Sequence, residues 1–202
     1  MEQLTHYQIV LASKSPRRRE LLQSLGLQFT TQVLPDIDES YPESLPTADI
    51  PLYIAKEKAD AYMDQLNDDT LLITADTLVI VDNQVLGKPA DAEDATRMLH
   101  LISGRTHHVI TGVCMTTLHH QERFSVTTEV TFKALTDSEI SYYVSHYQPF
   151  DKAGAYGIQE WIGYVGVTGL KGSYYNVMGL PVQKIWEHLK AFVPNRIQCL
   201  EE

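Results

Sequence analysis

The chain is short of several things, and each shortage closes off a class of protein. It has two cysteines, Cys114 and Cys199, in 202 residues. They make neither a disulfide framework nor a metal-binding spacing, so a reducing compartment is expected. No apolar run approaches the ~20 residues needed to cross a bilayer. Met1 to His6 lacks the basic-then-apolar order of a signal peptide. These two features predict a cytoplasmic protein with no membrane partner. Basic charge is scarce too: 16 Lys and Arg stand against 26 Asp and Glu, for a formal net charge of −10. That balance, with no interleaving of aromatic and basic residues, argues against nucleic acid as a partner. Repeats, linkers and low-complexity tracts are absent. His107-His108 and His119-His120 are adjacent pairs, which point to opposite faces of a strand. They read as ordinary strand and turn histidines, not as a zinc site.

What is present is ordinary in bulk, with 44% apolar and 21% charged residues, and predicts one α/β domain over residues 1–202 with a loose tail from 194 to 202. The unusual content is local. Ile9 to Ala12 reads as a strand and Pro16 to Leu25 as a helix capped by Ser15. The turn between them carries two hydroxyls, Lys14 and three arginines. Cations at a helix N-terminus are mildly unfavourable unless an anion binds there. The stretch is therefore either a capped surface helix with solvated arginines or a phosphate site. In either case at least one of Arg17, Arg18 and Arg19 points away.

Leu71 to Val81 reads as a buried strand with a carboxylate, Asp76, at its centre. Such a charge must be paired, hydrogen-bonded or metal-bound. Asp82-Asn83 turns the chain into a hairpin, and Lys88 leaves it at a sharp exit. Lys58 lies on a helix opened by Pro51, aimed inward or solvated. Asp91 caps a further helix, two strands cover His108 to Leu118 and Phe124 to Leu135, and Thr136 with Glu139 forms a capping box. Asp151 to Gln159 holds too many small residues for a packed element and reads as a loop that brings backbone close to a ligand. Ile162 to Val167 reads as a strand, Gly169 to Gly172 as a turn, and a last amphipathic helix runs through Ile185, Trp186 and Leu189.

In order along the chain, LASKSPRRRELL (11–22), AKEKA (55–59), ADT (75–77), LGKP (86–89), SGRTHHVITGV (103–113), DKAGAYGIQ (151–159) and GSYYNVMGLP (172–181) together resemble the Maf family of nucleoside triphosphate pyrophosphatases. DKAGAYGIQ is similar to the subgroup acting on dTTP and UTP, with modified pyrimidine nucleotides as further candidates. The resemblance implies a fold related to inosine triphosphate pyrophosphatases: an elongated mixed sheet flanked by helices, with two lobes around a central cleft. It implies a divalent metal (Mg²⁺ or Mn²⁺), a cytoplasmic protein that is often a homodimer, and conversion of NTP and water to NMP and pyrophosphate. Carried over by position, Asp76 is the catalytic carboxylate and Glu39 joins it at the metal. Ser13, Arg17, Lys58 and Lys88 hold phosphate, while Arg18, Thr77 and Gln159 select the base. Strict alternation turns Thr77 away from Asp76, so its role needs a bulge or twist. Thr74 stands where the family usually has Gly, which brings a hydroxyl and methyl near the site. The alternative function is a non-catalytic nucleotide-binding regulator of cell division or septum formation.

Overall fold

A computed structural model of the chain describes residues 7–192. One seven-stranded mixed sheet forms its spine. Along it the strands run β2 (Phe29–Thr31), β1 (Gln8–Leu11), β3 (Thr70–Val81), β5 (Thr106–Thr116), β6 (Gln121–Phe132) and β7 (Val167–Lys171), with β4 (Gln84–Leu86) paired to the end of β3. β1 is parallel to both its neighbours, and the remaining pairs are antiparallel. The β3–β4 hairpin turns at Asp82 and Asn83, both at positive φ, the conformation that two-residue hairpins require and Asp and Asn tolerate.

β3 and β5 are long because they serve two cores. On one face, Ile9, Leu11, Leu71, Ile73, Val113 and Met115 pack against Leu21 and Leu22 of α1 (Pro16–Gln23) and Ile185 of α7 (Val182–His188). Further along, Val79 and Val81 of β3, Val109 of β5 and Val130 and Phe132 of β6 pack under α3 (Ala92–Ile102) and α4 (Asp137–Tyr147). Each fully buried aliphatic side chain there contributes ~1.5–3 kcal/mol of transfer free energy. The gap between the cores falls at Asp76 to Leu78, and it makes two lobes on one sheet.

The other face of β3 carries α2 (Ile50–Asp60), whose Ala55 and Ala59 meet Leu72 and Cys114. A Cβ on Gly112 would lie 2.3 Å from the Leu52 nitrogen, so α2 rests directly on β5 there. The Thr74 hydroxyl donates to the Ala55 carbonyl at 2.6 Å. This hydroxyl, in place of the usual glycine, ties α2 to the sheet; Thr74 is wholly buried and away from the cleft lining, contrary to the expectation that it stands near the site. Burial pushes the neighbouring Cys114 thiol up to about 12, leaving it inert; Cys199 and the expected loose tail lie outside the described residues.

Two expectations fail around residue 165. Trp161–Gly166 is a helix, α5, not a strand, and the expected turn at Gly169 to Gly172 is instead mostly β7. Residues 173 to 178 hold a short helix, α6 (Tyr174–Val177), capped by Ser173. The β-branched and aromatic residues around Ile162 suit a strand, but glycines override them. A Cβ on Gly163 would lie 1.8 Å from the Ile158 carbonyl oxygen, and one on Gly166 would lie 2.9 Å from the Phe132 ring.

Candidate active site

The cleft is a consequence of strand lengths. β1 pairs β3 only as far as Ile73, and β4 joins only from Val79. Between them one edge of β3 is free, opposite its unbroken pairing to β5. A cavity of about 680 Å³ opens at that edge and reaches both faces of the strand. No register shift interrupts Leu72 to Ile80, so the expected bulge at Thr77 is not there. None is needed: Asp76 enters from the α2 face, and Thr77 from the face carrying α1.

One end of the cleft is cationic. Ser13 ends the extended segment, and its hydroxyl accepts from the Ser15 amide at 3.2 Å. Ser15 caps α1 by accepting from the Arg18 amide, with Pro16 in the first turn. Arg17 donates to Asp151 Oδ2 at 2.8 Å. Lys88, delivered by the β4 exit, lines the same cavity, and Arg19 is exposed, the arginine that points away.

At the centre, Lys58 Nζ lies 2.9 Å from Asp76 Oδ1 and 3.1 Å from Glu39 Oε1. Asp76 is 9% exposed; the ammonium offsets the burial of its charge. Two carboxylates thus converge on one cation position. The donor chemistry fits Mg²⁺ or Mn²⁺, which take one or two carboxylates and complete their shells with water and phosphate oxygens. Among the described residues no cluster of three or more His, Cys, Asp or Glu is suited to a metal, so such an ion would depend on its substrate for ligands.

The far end spends its charged groups on protein partners and is more deeply built. Arg18 spends three N–H groups on the protein: Nε on the Gly179 carbonyl at 2.7 Å, Nη1 on the Ala75 carbonyl at 2.8 Å and Nη2 on Thr77 Oγ1 at 2.9 Å. Burial pulls its guanidinium below the ordinary range, and the Asp76 charge works the other way. Thr77 also meets Thr111 Oγ1 at 2.9 Å. Arg18 therefore braces the wall more than it offers a free cation. The loop expected from Asp151 to Gln159 is present, with Gly154 at φ +69° and no room for a Cβ beside Val79. Gln159 lines the cavity, and its Oε1 is buried without a partner.

On that loop and behind it stand groups to which the sequence reading gave no role at the site. His107 Nε2 lies 2.7 Å from the Tyr156 hydroxyl, and burial lowers the imidazole to about 4. Lys152, 8% exposed and lining the cavity, lies 3.1 Å from Glu160 Oε1. The Tyr143 hydroxyl donates to Glu160 Oε2 and accepts from the Gly157 amide at 3.0 Å. Asn176 is fully buried and holds the 177–179 wall by donating to the Val109 carbonyl and to Thr128 Oγ1. Only membership of the quoted segments hinted at Lys152 and Asn176. Nothing in the sequence marked Tyr143 or Glu160.

Every predicted site residue lines this one cavity: Ser13, Arg17, Arg18, Glu39, Lys58, Asp76, Thr77, Lys88 and Gln159. No helix among the described residues is long and apolar enough to cross a membrane.

A family model described as Maf-like protein matches residues 8–192. A dTTP/UTP pyrophosphatase of Phocaeicola vulgatus is 56% identical over 190 residues, which cover 94% of this chain and 98% of that protein. Another of that name, from Parabacteroides distasonis, is 56% identical over 192 residues, covering 95% and 100%. A solved structure titled as a HAM1 protein from Coxiella burnetii aligns over 92% of this chain and 99% of its own, with TM-score 0.45 and 14% identity, a likeness too slight to bear on the fold.

Proposed function

The chain belongs to the Maf-like protein family, and from that premise we propose that it is a nucleoside triphosphate pyrophosphatase preferring dTTP and UTP. The observation that carries the reading is the convergence of Glu39 and Asp76 on one cation position, in the same cavity as the cations of the α1 turn and β4 exit and an orphan amide acceptor. The names of the two relatives, both dTTP/UTP pyrophosphatases, support the choice of substrate.

The chemistry follows from the ends of the cleft. Ser13, Arg17, Lys58 and Lys88 hold the phosphate oxygens, and the base lies toward Gln159. Water attacks the α-phosphorus, the α–β anhydride bond breaks, and pyrophosphate leaves with the bonding pair. Asp76 takes the proton from the water. Positioning and charge stabilisation supply most of the rate, as phosphoryl chemistry allows. A divalent cation held by Glu39 and Asp76 would neutralise phosphate charge and raise the acidity of nearby water. Lys58, which holds both carboxylates here, would then serve a phosphate instead.

At the base, Gln159 Oε1 accepts from the N3–H that uracil and thymine share, and its amide NH₂ donates to a flanking carbonyl. The unpaired state of Oε1 supports this use, since a buried acceptor without a partner is costly. Family membership further supports a cytoplasmic homodimer acting as a single catalytic domain, on free nucleotides and not on nucleic acid. An intact Asp76 disfavours the non-catalytic regulator. The deciding experiment is pyrophosphate release from a panel of nucleotides with Mg²⁺ or Mn²⁺. UTP and dTTP should lead; release of orthophosphate, or turnover indifferent to the base, would overturn the reading.

A further inference from the structure

A glutamine amide has nearly the same outline either way round. Oxygen forward, it matches the N3–H of uracil or thymine; NH₂ forward, it matches the bare N3 of cytosine. Selection between them requires something that fixes the amide. Tyr156 is the adjacent candidate on the loop, but its hydroxyl is engaged with His107 Nε2 at 2.7 Å.

The neighbour on the other side is Glu160. Gly157 has no side chain, and Gln159 and Glu160 both fold over the space this leaves. A Cβ at Gly157 would lie 3.0 Å from Gln159 Nε2 and 3.1 Å from Glu160 Oε2. The amide nitrogen and the carboxylate oxygen therefore stand within about 6 Å of each other, while Oε1 is the amide atom left buried and unpartnered. The carboxylate is itself held firmly. Lys152 grips Oε1 at 3.1 Å, and the Tyr143 hydroxyl donates to Oε2. The Glu160 side chain is 20% exposed, so water screens its charge only in part.

We infer that Glu160 is a specificity-positioning residue: its carboxylate keeps the Gln159 NH₂ toward itself and the amide oxygen toward the base, selecting uracil and thymine against cytosine. A side-chain amide orients its dipole in the local field, and its direction is set by its polar surroundings. The flipped amide would set oxygen toward a negative charge. Glu160 touches no reacting atom and acts through Gln159 alone. The inference rests on Gln159 reading the base.

The test compares kcat/KM for UTP and CTP in Glu160→Gln, which keeps the shape and removes the charge. The UTP:CTP ratio should fall at least about fivefold, roughly one hydrogen bond's worth, through loss on UTP and gain on CTP. Glu160→Asp, which keeps the charge, should retain the parent ratio. Dissociation constants for the α,β-methylene analogues of UTP and CTP should shift in the same sense, which keeps the result readable where turnover is weak. Equal loss on both nucleotides would make Glu160 a mere loop support and overturn the inference. Gln159→Ala separates the two levels. If the UTP:CTP ratio responds to Gln159→Ala but not to Glu160→Gln, only the inference falls. If it responds to neither, the base-reading role falls first.

Discussion

The two ends of the cleft are built on opposite plans. The cationic end and the centre use charges drawn from separate elements: Arg17 from α1, Lys88 from the β4 exit and, at the centre, Lys58 from α2. Each is a single side chain at the cavity wall. The far end presents few groups and supports them with a second layer: His107 behind Tyr156, and Glu160, itself held by Tyr143, behind Lys152. The difference follows from the task. Phosphate is the same in every nucleotide and is held by charge, which tolerates small displacements. A base edge is distinguished by which atom donates, so the reader must be held in one orientation. Changes at the centre and the cationic end should therefore cost every nucleotide alike, and changes at the far end should alter the ratios between nucleotides.

The largest effect belongs to the centre. Asp76→Asn keeps the shape and removes both the charge and the proposed proton acceptor. Turnover should fall by at least ~100-fold for all nucleotides, the scale of a lost general base. The fold should survive, as near-unchanged far-UV circular dichroism would report. A folded variant with retained turnover would remove Asp76 from the chemistry.

The next effect lies behind the far wall and is read as stability. His107 ionises near 4 in the fold because burial disfavours its charged form, against an ordinary 6.5. Between those values the unfolded chain binds a proton that the native chain does not, so stability falls as pH drops from 6.5 to 4. The loss attributable to this group is on the order of 2–3 kcal/mol. His107→Gln removes the titration. Its Tm should fall less steeply across that window than the parent's, and equal slopes would show that His107 is not buried neutral.

Much of this was legible in the sequence where chemistry is local. The Ser15 cap, the Asp82-Asn83 turn and the Thr136–Glu139 capping box each rest on residues within a few positions of one another, and each is present. Asp76 was legible because a carboxylate in an apolar strand demands a partner. Its partner, Lys58, lies 18 residues away in sequence and became credible only through family resemblance. Of the bulge or twist that strict alternation asks for at Thr77, no bulge forms: Leu72 to Ile80 pair with β5 in unbroken register. A free edge lets one cavity see both faces. The second layer was illegible for a related reason: Tyr143 meets Glu160 across 17 residues and a helix boundary, and nothing in either local pattern requires it.

At the far end itself, Gln159→Ala removes the proposed acceptor for N3–H. The kcat/KM for UTP and dTTP should drop while CTP and the purine triphosphates stay nearly unchanged. The ratio of good to poor substrates should shrink by about tenfold, the value of one or two hydrogen bonds in a dry pocket. A proportional loss across the whole panel would erase the contrast between the two ends, because it would make Gln159 a support for the loop.

The smallest effect belongs to a charged contact that joins the ends. Arg17 of the cationic end donates to Asp151, the first residue of the far-end loop, at 2.8 Å. The pair is partly solvent-exposed, with the Asp151 side chain 56% exposed, so it stabilises the fold by only ~0–1 kcal/mol. Burial alone would raise the Asp151 carboxyl, but hydrogen bonds from Lys152 and Arg17 overcome it and hold the group at about 2, below its ordinary 3.8. A carboxylate lowered in this way contributes its stability above pH 3.8, and the contribution is lost as pH falls toward 2. Asp151→Asn should thus cost little at neutral pH, and its deficit against the parent should vanish in acid. Its kinetic effect has the opposite sign. Asp151 competes with phosphate for the Arg17 guanidinium, and the uncharged amide competes less. KM should fall by up to about threefold, within the energy of an exposed ion pair, equally for UTP, dTTP and CTP. A rise in KM would mean instead that Asp151 aims Arg17 at the phosphate. A change confined to UTP and dTTP would mean that the loop's attachment to α1 is felt at the base, so that the two ends are mechanically coupled.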